Sequence, residues 1–83
     1  MLSEQEAIAK LKTFVDCDPL KIIVYGNLYL ILAPRSDPDE GIWDPYFSVD
    51  MNTGETRDYS IYKDGKSREI SSLFENAEYI GRR

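Results

Sequence analysis

Apolar positions change their period along the chain, and each change marks an element. Between Ser3 and Val15 they recur at helical spacing: Ile8, Leu11, Phe14 and Val15 share one stripe, while Glu4, Lys10 and Lys12 fall elsewhere. Ser3 and Glu6 form S-x-x-E, a capping box in which each side chain satisfies the other residue's backbone N–H. The pattern predicts a helix over 3–15, with Leu2 placed to staple onto Ala7. Asp16-Cys17-Asp18-Pro19 then ends it, because the residue before a proline is pushed toward extended geometry.

From Leu20 the pattern is that of strands. "LKIIVY" and "LYLILA" are β-branched, aliphatic or aromatic runs separated by Gly26-Asn27, a strong hairpin signal. "PRSDPDEG", residues 34–41, combines two prolines, a glycine and three acids and reads as an exposed loop. A third strand is expected from Trp43 to Asp50 and a fourth from Glu55 to Tyr62, joined by Met51-Asn52-Thr53-Gly54. After a turn at Lys63–Lys66, Ser72 and Glu75 form a second S-x-x-E. It predicts a short helix over 72–80 with Leu73, Ala77 and Ile80 on one face. The expected fold is a single α+β domain over 1–83: an N-terminal helix packed on a four-stranded antiparallel meander sheet spanning 20–62, then a short C-terminal helix.

Side chains alternate between the two faces of a strand. Sorted by parity, Leu20, Ile22, Val24, Leu30, Leu32, Trp43, Phe47, Val49, Tyr59 and Ile61 suit the face under the N-terminal helix. Lys21, Ile23, Tyr25, Tyr29, Ile31, Tyr46, Ser48, Asp50, Asp58 and Tyr62 fall on the other face. That second face joins four tyrosines to aliphatics and carboxylates. Tyrosine supplies rigid contact area with a polar tip, so Tyr25, Tyr29, Tyr46 and Tyr62 are candidate contact residues for a partner protein. The competing expectation is that the C-terminal helix folds over them.

Charge sharpens the picture. The net charge is −5, and the stretch from Asp37 to Asp58 holds seven carboxylates against Arg57 alone. Attraction to nucleic acid or anionic lipid needs clustered Lys and Arg, so neither is an expected partner. A basic protein is, with Asp37, Asp39, Glu40 and Asp44 as the steering acids. Those four lack the spacing, the sixth-position glycine and the twelfth-position acid of an EF-hand calcium loop. Cys17 is alone and histidine is absent, so neither an internal disulfide nor the usual zinc sets are available, and no cofactor or metal is expected. Cys17 also stands between two aspartates at a helix C-terminus, where negative potential disfavours a reactive thiolate. No phosphate loop, dinucleotide fingerprint or basic aromatic RNA-binding strand occurs. No basic n-region, long apolar run or secretory pattern precedes the first helix, so a cytoplasmic location is expected.

The stretch "WDPYFSVDMNTGETRDYSI" resembles the aromatic-x-V-D-x-x-T-G-E hairpin of small bacterial and phage α+β proteins, including some immunity proteins encoded beside polymorphic toxins. The resemblance implies a helix-plus-meander fold and a role in blocking a toxin or host enzyme. The expected function is therefore non-catalytic protein binding of the inhibitor or immunity type. The alternative is a homodimeric structural or accessory protein that self-associates through its sheet.

Overall fold

The computed structural model describes residues 1–16, 18–33, 46–59 and 67–80. The order of elements is α1 (Glu4–Phe14), β1 (Lys21–Tyr25), β2 (Leu28–Leu32), β3 (Tyr46–Asp50), β4 (Thr56–Asp58) and α2 (Ser67–Asn76). The strands form one antiparallel meander in the order β1-β2-β3-β4, and a helix lies on each face. The fold is α+β. Cys17, the loop 34–41, Trp43, Ile61, Tyr62 and the turn at Lys63–Lys66 lie outside the described residues.

The first capping box closes as its spacing predicts. Ser3 Oγ accepts from the Glu6 backbone N–H at 3.2 Å, and Glu6 Oε1 accepts from Ser3 N–H at 3.1 Å. Just upstream, Leu2 N–H donates to the Met51 carbonyl at 2.8 Å, which ties the chain start to the β3–β4 turn. α1 packs over β2, β3 and β4, burying Ala7 and Leu11 against Ile22, Tyr29, Ile31, Phe47, Val49 and Met51. Phe14 meets Phe47 edge to face at 6.2 Å between ring centroids. Each large apolar side chain buried in this way contributes about 1.5–3 kcal/mol.

Gly26 takes φ +62° and Asn27 does not share the positive sign, the pattern of a type II′ hairpin turn. It pairs Tyr25 with Leu28, Val24 with Tyr29 and Ile22 with Ile31. Odd residues of β1 therefore face even residues of β2, opposite to the parity sorting. Tyr29 and Ile31 belong to the α1 face, whereas Leu30 and Leu32 join Ile23 and Tyr25 under α2. The same correction holds for β4, where Asp58 lies opposite Phe47 and Tyr59 packs on the α2 side. Val24 carries α1-face parity but sits on the edge strand, beyond the main footprint of α1, and is 58% exposed.

α2 also departs from expectation, beginning at Ser67 and ending at Asn76. Ile70 and Phe74, one turn apart, bury on Leu30 among Ile23, Tyr25, Leu28, Leu32, Tyr46 and Tyr59. Burial of that pair outweighs the local cap at Ser72, which falls mid-helix, and Leu73 is left exposed. Lys21 Nζ donates to the Phe74 carbonyl at 2.8 Å and stands 4.8 Å over the Tyr79 ring. A cation there neutralises the negative helix end. Ile80 N–H then donates to the Leu20 carbonyl at 2.8 Å, docking the segment after α2 beside β1. Among the described residues no helix is long and apolar enough to cross a membrane.

Truncating Phe47 to Ala removes a fully buried ring and should cost about 3–5 kcal/mol in urea unfolding. Val24→Ala, by contrast, should stay within about 0.5 kcal/mol of the parent.

Candidate binding surface

The sequence expected four tyrosines on one open face, and the register separates them. Tyr29 is 8% exposed within the α1 core, and its hydroxyl donates to the Leu2 carbonyl at 2.9 Å. Tyr25 and Tyr46 do share the opposite face, beneath α2. The Tyr25 hydroxyl donates to Glu69 Oε2 at 3.2 Å, and Tyr46 lies 5.1 Å from the Phe74 ring. Tyr62, Asp37, Asp39, Glu40 and Asp44 lie outside the described residues.

α2 covers only half of its face. Its first turn reaches Tyr25 through Glu69 and its last turn reaches Lys21, so it runs along the β1 side of the sheet. On the β3–β4 side the same face turns polar. Register sets Ser48 opposite Arg57, and Asp50 N–H donates to the Glu55 carbonyl at 2.9 Å. The result is a recess of about 350 Å³ with Leu28, Ser48 and Asp50 on one wall and Glu55, Arg57, Asp58 and Tyr59 on the other.

Each polar group there has a distinct state. Arg57 donates from both Nε and Nη2 to Glu55 Oε1, an exposed ion pair worth at most about 1 kcal/mol. Asp50 Oδ1 accepts from the Asn52 N–H at 2.8 Å and the Thr53 N–H at 3.0 Å. The Thr53 N–H, and after it that of Asn52, hold the Asp50 carboxyl below its ordinary value of 3.8. Both donors go to Oδ1, which leaves Oδ2 outside the backbone bonding of the turn. Gly54 completes that turn at φ +77°, and a Cβ there would stand 3.2 Å from Lys10 Cε.

Ser48 is the residue that sequence reasoning passed over. It is 7% exposed between Phe47 and Val49, and among the described residues its hydroxyl has no hydrogen-bond partner. A buried hydroxyl left unpaired costs about 1–3 kcal/mol. A lone serine inside an otherwise apolar strand was the available signal. Asp50 and Asp58 do not face each other across β3 and β4, since Asp58 sits opposite Phe47. Among the described residues no group of three or more His, Cys, Asp or Glu is placed to hold a metal ion.

No protein-family model matches the chain, and no curated protein or solved structure matches it.

The lowered Asp50 pKa carries a pH signature. A carboxyl with a depressed folded pKa contributes stability above its unfolded pKa and loses it as pH falls through the folded value. Urea midpoints should therefore drop as pH is lowered from about 5 through the acid range. Asp50→Asn, which keeps an oxygen acceptor but removes the charge, should flatten part of that drop.

Proposed function

We propose that this chain is a non-catalytic protein-binding module, of the inhibitor or immunity type and of bacterial or phage origin, that acts by occupying a basic surface of another protein. The observation that carries this reading is the acidic β3–β4 surface. Asp50, Glu55 and Asp58 line a recess in which the base among the described residues, Arg57, is paired with Glu55. The same stretch of chain carries Asp37, Asp39, Glu40 and Asp44 just upstream. Complementary charge steers encounter and orients docking, and inhibition then needs only steric cover of the partner's own site. Because Tyr29 is internal, contact area comes from the β3–β4 side and the acidic segment, with Tyr25 and Tyr46 stabilising the fold beneath α2.

A second reading, self-association, rests on β1. It is an edge strand whose Val24 is well exposed and whose Leu20 is partly so, an apolar edge of the kind that pairs with another chain.

Two measurements separate the readings. Changing Asp37, Asp39 and Asp44 to Asn and Glu40 to Gln should slow association with a captured bacterial partner about tenfold at low salt and weaken its salt dependence. Unchanged kinetics would sink the steering idea. Val24→Lys should convert a self-associating protein to a monomer in analytical ultracentrifugation with its circular dichroism intact, whereas a monomeric parent removes the second reading.

A further inference from the structure

We propose that the β1 edge is the interface of a symmetric homodimer, in which a second copy of this chain lies antiparallel beside it and Lys21 of each protomer pairs with Glu69 of the other. This inference rests on the self-association reading above and supplies its geometry. Exposed apolar side chains gather on this side of the molecule. Val24 lies on β1 and Leu20 just before it, while Tyr79 sits under the Lys21 ammonium. Leu73 follows by one helical turn the Glu69 that binds Tyr25, which puts it on the β1 side of α2. An apolar strip of this kind, rimmed by charge, marks an interaction site.

Two charges of opposite sign bracket the strip. At one end of β1 the Lys21 ammonium donates to the Phe74 carbonyl, and at the other Glu69 Oε2 accepts from the Tyr25 hydroxyl. Neither Lys21 nor Glu69 makes an ion pair among the described residues. A uniformly basic or uniformly acidic partner would answer only one of them. A second copy answers both, provided that it runs antiparallel. A two-fold axis perpendicular to the sheet reverses β1 and keeps both α2 helices on one face, so the positive end of each strip meets the negative end of the other. The Ile80 N–H already takes the Leu20 carbonyl and Ile22 is buried, so that part of the edge is covered within the chain. The contact therefore runs through side chains, with Val24 on the α1 side and Leu73 and Tyr79 on the α2 side. β4 is the opposite edge of the sheet, and the dimer leaves the acidic β3–β4 surface open.

The test is sedimentation equilibrium of the 83-residue protein, with circular dichroism to check each variant's fold. The parent should dimerise. Lys21→Glu and Glu69→Lys each set like charges against one another at both symmetric contacts and should weaken the dimer about tenfold. An equimolar mixture of those two variants should recover the parent's affinity as a heterodimer, because every cross-contact then joins opposite charges. Repair within a chain cannot produce that recovery, since each chain in the mixture keeps its own substitution. Leu73→Glu, at an exposed position outside both ion pairs, should also dissociate the dimer and serves if a charge reversal unfolds the chain. A dimer that tolerates Leu73→Glu overturns the interface. A parent that stays monomeric across the concentration range overturns it together with the self-association reading. Dissociation by Val24→Lys combined with indifference to both charge reversals, or a mixture that recovers nothing, overturns the antiparallel pairing and leaves self-association standing.

Discussion

The two-residue turn at Gly26-Asn27 is the constraint on which the rest of this fold depends. It pairs Tyr25 with Leu28, and through that one pairing decides which face every β2 residue occupies. A slip of one residue would send Tyr29 and Ile31 out of the α1 core and bring Leu30 into it. Because β2 is an inner strand, Tyr29, Leu30 and Ile31 are consecutively buried and supply both clusters. The turn thus couples the two helices: α1 packs on one product of the register and α2 on the other.

The two cores differ in extent. α1 closes the larger cluster together with the chain start, held by the Leu2 backbone and the Tyr29 hydroxyl. α2 closes the smaller one with Ile70 and Phe74, with Lys21 at its C-terminus. α2 runs along β1 and reaches Tyr46 at the start of β3 and Tyr59 just after β4, while Ser48, Asp50 and Arg57 are not part of its cluster. The β3–β4 residues outside that cluster include Ser48, Asp50, Glu55 and Arg57, and these polar residues line the recess. One turn serves both structure and surface, since the Asp50 carboxylate that accepts from Asn52 and Thr53 also borders the recess.

Local chemistry in the chain was sufficient for much of this. The Ser3–Glu6 cap, the Gly26-Asn27 hairpin, the Gly54 turn and the strand-rich centre all follow from interactions between residues a few positions apart, so they are legible without the fold. Even the face assignment of β2 was implicit in the turn, because a two-residue loop sets odd residues opposite even ones. Sorting each strand by its own parity ignored that offset, and the tyrosines were consequently placed together.

What the tertiary structure alone decided is which local signal prevails and which surface stays open. Ser72 and Glu75 are as good a capping pair on paper as Ser3 and Glu6, yet α2 starts at Ser67 because Ile70 and Phe74 have Leu30 to bury against. Tyr25, Tyr29 and Tyr46 read equally well as contact residues or as core, and it is the register that puts Tyr29 under α1 and the path of α2 that covers Tyr25 and Tyr46. The Ser48 recess depends on three strands and the reach of a helix from the far end of the chain. Short-range hydrogen bonds are written in adjacent residues, whereas burial depends on everything that packs from a distance, and so the sequence by itself determined the elements while packing chose the faces.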